Sequence, residues 1–263
     1  MTEFERVACE AASRAGEVLR RRFREADPLK IESKGLHDFV TEVDRQAEDA
    51  AVGHVRACFP DHVVMSEESS PDAGAADYRW IIDPLDGTTN FIHGVTPFSV
   101  SVALEDREGP LAAAILDPTR DEMFHASRGG GAFCNDDPIR VSNPDNHDRA
   151  LFATGFPFRE LSRLDRYMES FEAFVRTTAG IRRAGSAAID LARTAAGRYD
   201  GFWEIGLARW DIAAGVLLVR EAGGVVTDPL GGATYLDTGD IVAAGPRMHE
   251  FMLEVTRGAF GPR

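Results

Sequence analysis

The run Tyr78-Arg79-Trp80-Ile81-Ile82-Asp83-Pro84-Leu85-Asp86-Gly87-Thr88-Thr89-Asn90 constrains the chain more than any other stretch. Its apolar Trp80-Ile81-Ile82 predicts a short strand over Tyr78 to Asp83 that ends in a carboxylate, and a second carboxylate follows after one turn. Asp83-Pro84 with Gly87 also suits an ordinary turn, since Pro presets φ and Gly relieves the backbone. Two carboxylates with a carbonyl between them can, however, wrap a hard cation such as Mg²⁺, which takes oxygen ligands and keeps several waters. The N–H groups of Gly87-Thr88-Thr89, if they open a short helical turn, form an anion cradle beside it.

Three further acidic segments accompany this one: Asp38 to Asp44, Ser66-Glu67-Glu68-Ser69 and Trp210-Asp211. Each has a plain structural reading. Asp44 suits a helix N-cap, Glu67-Glu68 a solvated loop, and Asp211 the positive start of a helix over 210–222 that Gly223-Gly224 ends. Taken together, four such segments favour chemistry on cations. The charge balance points the same way: 29 basic against 43 acidic residues give a net charge of -14. That disfavours a nucleic-acid partner, whose binding needs Lys and Arg to displace counterions. An anionic substrate fits only where bound cations invert the local field.

The chain has 263 residues, 44% apolar and 27% charged, enough for one large α/β domain or two smaller ones. Cys9, Cys58 and Cys134 are odd in number, widely spaced and form no CxxC, so no disulfide framework or zinc site is expected and the chain reads as cytoplasmic. Phe4, Val7, Ala8, Ala11, Ala15, Leu19 and Phe23 follow helical spacing, predicting an amphipathic helix over about 3–25 and no signal sequence. The longest uncharged stretch, Gly87 to Leu104, is too rich in Gly, Thr, Asn, Ser and Pro to span a bilayer. A second helical stripe covers Asp44 to Phe59, and His62 to Ser66 is a short strand. Phe98 to Leu104, Leu111 to Leu116 and Glu122 to Ala126, divided by turn signals, predict an antiparallel meander. Beyond Ser142-Asn143-Pro144, strands alternate with helices at 161–178, 187–196 and 210–222. The expected division is an α+β half over 1–143 and an α/β half over 144–263.

Asp83-Pro84-Leu85-Asp86-Gly87-Thr88-Thr89-Asn90-Phe91, with Trp210-Asp211-Ile212-Ala213-Ala214-Gly215 and Glu221-Ala222-Gly223-Gly224, resembles the two signatures of the inositol monophosphatase family. Glu67-Glu68-Ser69, Asp38 to Asp44, Gly185-Ser186-Ala187-Ala188 and Phe202-Trp203-Glu204-Ile205-Gly206 match in the expected order. The likeness runs from the first helix to at least Asp228 and is nearest to bacterial members. It implies an alternating αβαβα layered sandwich of the sugar phosphatase type, a homodimer, and hydrolysis of inositol monophosphate inhibited by Li⁺. It further implies one Mg²⁺ on Glu67, Asp83 and the Leu85 carbonyl, a second on Asp83, Asp86 and Asp211, and a weaker third near Glu67. Thr88, backed by Asp44, then orients the attacking water, while the Gly87 and Thr88 amides hold the phosphate. Ala187 and Glu204 meet the sugar hydroxyls, with Asp86 and Asp211 beside the substrate as well.

Physical chemistry supports that division of labour. Phosphate monoester hydrolysis is so slow that accelerations reach ~10²¹-fold, whereas one positioned general base gives only ~10² to 10⁴. Metal ions would carry the remainder by activating water and neutralising oxygens across a gap of roughly 3.5 to 4 Å. Thr89 stands where nucleotide and histidinol phosphatases of the superfamily tend to carry Lys, which favours the inositol phosphate branch; fructose bisphosphatase activity stays open. Pro97 falls one residue later than the family places it. Lys34, retained in a chain whose basic residues are otherwise almost all Arg, precedes Asp38 in a loop that is mobile in relatives. The histidines, His93 and His125 among them, have no metal-ligand spacing. A regulatory binding protein that retains the fold and a structural Ca²⁺ protein are the alternatives from other classes.

Overall fold

The computed structural model describes residues 1–24, 31–35, 38–69, 76–158 and 160–262, the side chains of 24, 31–35 and 38–40 excepted. The chain opens with helix α1 (Glu3–Arg24), whose Val7, Ala8, Ala11, Ala15 and Leu19 are fully buried, as their helical spacing predicts. A hairpin of β1 (Ile31–Gly35) and β2 (Asp38–Thr41) leads into α2 (Glu42–Cys58). Lys34 lies on β1, and its side chain is outside the described set. The helix begins earlier than the apolar stripe indicates, and Thr41 rather than Asp44 is its N-cap.

Strands β3 (Val63–Ser66) and β4 (Arg79–Asp86) pair in parallel. After the short helix α3 (Thr88–Ile92) come β5 (Ser99–Asp106), β6 (Gly109–Asp117), β7 (Glu122–Ser127), β8 (Gly131–Cys134) and β9 (Asp137–Pro138). From β4 onward every neighbour is antiparallel, giving a seven-stranded sheet in sequence order that contains the expected meander. Period-2 alternation divides its two faces. Trp80, Ile82, Val100, Val102, Leu104, Ala112, Ala114 and Leu116 pack against α1 and α2, while Ile81, Ala103, Ala113 and Ile115 face the opposite way.

The second sheet is built from β10 (Leu151–Thr154), then, after α4 (Leu164–Thr177), β11 (Gly180–Arg182). It continues through α5 (Ala187–Ala195), β12 (Gly201–Glu204), α6 (Arg209–Glu221), β13 (Val225–Thr227), α7 (Tyr235–Thr238), β14 (Ile241–Ala244) and α8 (Pro246–Phe260). Its order is β11-β10-β12-β14-β13, parallel around β10 and antiparallel around β14. The predicted helix over 161–178 is 3₁₀ in its first three residues and α-helical from Leu164. One core binds Ile81, Ile115 and Phe124 of the first sheet to Ala188, Leu191, Ile212 and Val216 of α5 and α6, and to Ala153, Phe202 and Ala243 of the second. Phe152, Trp203 and Val242 on the far face meet Phe174 of α4 and Met252 of α8. The layers therefore run α1/α2, sheet, α5/α6, sheet, α4/α8: an α/β sandwich with an αβαβα alternation. Among the described residues no helix is long and apolar enough to cross a membrane.

Candidate active site

A regular strand would place Asp83 and Asp86, three residues apart, on opposite faces. The register of β4 against β5 prevents this. Asp83 pairs with Ser101 and Asp86 with Ser99, so three steps on β4 oppose two on β5, and the extra residue forms a bulge. Pro84, which has no N–H to give a ladder, sits inside it. The strand thus continues past Asp83, where the apolar run stops, to Asp86. Both carboxylates turn toward the α5/α6 layer, where Asp211 from the first turn of α6 meets them; oxygens of the three lie within 4.8 Å of one another.

Helix starts hold two of these groups. Asp86 Oδ2 accepts from Ser186 Oγ at 2.6 Å and from the Ala188 N–H at 2.8 Å, at the positive end of α5. Asp211 Oδ2 accepts from the Ala208 N–H at 2.7 Å, tying the start of α6 in place. Asp83 Oδ1 accepts from the Leu85 N–H at 3.0 Å. Asp83 is 1% exposed. Burial first, then the charges of Glu67, Asp86 and Asp211, hold its carboxyl well above the usual carboxylate range, and burial raises Asp86 too. Neither Asp83 nor Asp86 forms an ion pair with a cationic side chain among the described residues. A buried Asp83 and a half-buried Asp86 with no counter-charge among the described residues, offering only oxygen donors, suit a hard divalent cation; a site without His or Cys does not suit zinc. Glu67 follows β3, is not part of the tight group, and lines the same cleft.

The turn after the bulge supplies a second type of group. Gly87, at φ +96°, is in the left-handed region, and a Cβ there would press on the Gly185 carbonyl and Phe98. It sets the first N–H groups of α3 beside the acids, and Thr88 opens that helix. Thr88 Oγ1 lies 3.2 Å from Asp44 Oδ1 and 3.0 Å from the Leu85 carbonyl oxygen. Asp44 is itself fixed by its other oxygen, which accepts from the Thr41 N–H at 2.8 Å and from Thr41 Oγ1 at 2.5 Å, while Thr41 Oγ1 accepts from the Val43 N–H. That is a capping box, so Asp44 both starts α2 and braces Thr88. Burial raises the Asp44 carboxyl against these hydrogen bonds.

The cleft these groups line has a volume of about 520 Å³ and reaches the second sheet, where Ala187 and Glu204 form part of its wall. Asn90 stitches the two sides, donating to the carbonyls of Pro97 at 2.7 Å and Ala184 at 2.9 Å; the late Pro97 is thereby used in place. His93 is exposed, and His125 bridges Glu5 and the Asn135 carbonyl away from the cleft. Several lining residues escape sequence reasoning. Arg183, stacked near Phe156 and Phe158, is the basic side chain of the cleft among the described residues. Asp190 is buried on α5, and its signal was present: a carboxylate inside the apolar run Ala187-Ala188-Ile189-Asp190-Leu191-Ala192.

A layered α/β protein with a cation-competent carboxylate cluster at a strand bulge, flanked by two helix starts, is the class that fold and site define. The inositol monophosphatase family model matches residues 1–259, and the chain belongs to that family. It is 48% identical over 252 residues to the Nus factor SuhB of Pseudomonas aeruginosa, covering 94% of this chain and 93% of that one. The extragenic suppressor protein suhB of Bartonella henselae superimposes with a TM-score of 0.92 at 40% identity, covering 98% of both chains. The inositol monophosphatase of Anabaena does so with a TM-score of 0.84 at 36% identity, over 97% of this chain and 95% of that one.

Proposed function

We propose that the protein is a Mg²⁺-dependent phosphate monoester hydrolase acting on inositol monophosphate. The observation that carries this reading is the convergence of Asp83, Asp86 and Asp211 within 4.8 Å beside a Thr88 hydroxyl braced by Asp44. Glu67, Asp83 and the Leu85 carbonyl would hold one Mg²⁺, and Asp83, Asp86 and Asp211 a second. When bound, Mg²⁺ supplies Lewis-acid polarisation of the phosphoryl oxygens and of the attacking water.

The chain's own groups do the rest. Asp44, an acceptor held by Thr41, draws the Thr88 hydroxyl proton and so leaves the Thr88 oxygen as an acceptor for one hydrogen of the incoming water. The Gly87 and Thr88 amides, left without helical partners at the start of α3, receive the phosphate oxygens. Glu204 and the Ala187 backbone meet the hydroxyls of the leaving group. Seven acids line the cleft against one Arg among the described residues, so a phosphate dianion is repelled until the acids are neutralised.

The names of relatives support a second reading, a role as a Nus factor, with or without turnover. Phosphate release assayed in millimolar Mg²⁺ across inositol monophosphate, fructose 1,6-bisphosphate and a nucleoside monophosphate separates the possibilities. Preference for inositol monophosphate is the expected result. Release from the bisphosphate instead would move the substrate assignment, and no release from any ester would leave only the second reading.

A further inference from the structure

Asp190 stands fourth in α5 among Ala188, Ile189, Leu191 and Ala192, all fully buried, and is itself 1% exposed. It lines the cleft, yet its Oδ1 has no hydrogen-bond partner among the described residues. A buried oxygen without a donor weakens the fold, so its retention needs a reason in the site it borders. The charges that reach it are those of Glu204 on one side and Asp86 on the other, with Arg193 and Arg183 beyond. Asp190 is thus set between the carboxylate cluster and the wall expected to meet the leaving group. It is not part of the 4.8 Å group, so it does not complete the cation cluster. Arg193 lies 3.5 Å from Asp117 and donates to Tyr199, and Arg183 stacks on Phe156 and Phe158. What Oδ1 lacks among the described residues is a hydrogen-bond donor.

We propose that Asp190 determines substrate specificity, its Oδ1 accepting a hydroxyl proton from the polyol part of a phosphate monoester held at the carboxylate cluster. The proposal rests on the phosphatase reading and deepens it. Asp190 and Glu204 both line the cleft, so two acid side chains are on hand for the hydroxyls of a polyol, and an ester without hydroxyls gains nothing from them.

The test compares wild type, Asp190→Ala and Asp190→Asn on myo-inositol monophosphate and on phenyl phosphate, which has no hydroxyl. Asp190→Ala is expected to lower kcat/KM for the inositol ester about 10- to 100-fold through KM, the size of one unmade buried hydrogen bond. Phenyl phosphate turnover should stay within about twofold, and Asp190→Asn, which keeps an acceptor, should recover most of the loss. Asp190→Ala should also melt no lower than wild type, since it removes an unpartnered buried group. Equal losses on both esters, or no loss on either, would overturn the proposal. If wild type hydrolyses neither ester, the phosphatase reading fails by itself. Calorimetric binding, with Ca²⁺ in place of Mg²⁺, then decides: weaker binding of the inositol ester with unchanged binding of inorganic phosphate upholds Asp190, and unchanged binding of both overturns it.

Discussion

Asp83, Thr88 and Asp44 sit within one small volume but are expected to fail differently when replaced. Asp83→Asn puts an amide where a carboxylate would serve both ions, so activity should vanish and Mg²⁺ affinity by calorimetry should fall steeply. Thr88→Ala leaves the carboxylates intact, and its loss should be that of one acid-base element, on the order of 10² to 10⁴ in kcat. Asp44→Asn should share that loss, since the two side chains act as one hydrogen-bonded unit; the double variant should be little worse than the worse single one. The acids themselves are readable in the sequence, as strand-end and helix-start carboxylates. Their convergence is harder to read, for it depends on a bulge that reverses the facing of Asp86, and nothing in the spacing Asp83-Pro84-Leu85-Asp86 states the register of a partner strand.

Among the elements, legibility follows the strength of the periodic signal. Helix α1 and the meander β5 to β7 carry uninterrupted stripes and fall where the pattern puts them. Helix α8 lies beyond the last element the pattern indicates, because polar His249 and Thr256 interrupt the buried stripe formed by Met248, Met252, Leu253 and Phe260. His249 has a consequence of its own. It hydrogen-bonds Thr227 of β13 at 3.0 Å, and burial, helped by Arg257, lowers its imidazole from 6.5 to about 4. Because the folded value lies below the unfolded one, its stabilisation is complete above pH 6.5 and is lost as pH falls toward 4. The loss is at most about 3 kcal/mol. Urea midpoints measured from pH 7 down to pH 4 should therefore fall more in wild type than in His249→Gln, and parallel curves would show that His249 does not carry the acid sensitivity.

At the scale of the whole molecule, α5 and α6 belong to both sheets at once: Ile212 and Val216 pack with Ile81 and Ile115 on one side and Phe202 and Ala243 on the other. We propose that the halves over 1–143 and 144–263 unfold together, and calorimetry should record one transition; two resolved transitions would mean the middle layer does not couple them. The same layer carries the helix starts that hold Asp86 and Asp211 against the bulge of β4, so the folding core and the site share their parts. Under the proposed function, a net charge of -14 on a protein that receives a phosphate makes the cation the condition of that function. The most direct measurement is phosphate release from myo-inositol monophosphate as Mg²⁺ is raised from zero in chelator, with Thr88→Ala beside wild type. The account predicts no release without Mg²⁺ and saturation at the same Mg²⁺ concentration in both proteins, with a plateau lower in Thr88→Ala by on the order of 10² to 10⁴. Release that persists in chelator, no release at millimolar Mg²⁺, or a Thr88→Ala defect that added Mg²⁺ restores would contradict it.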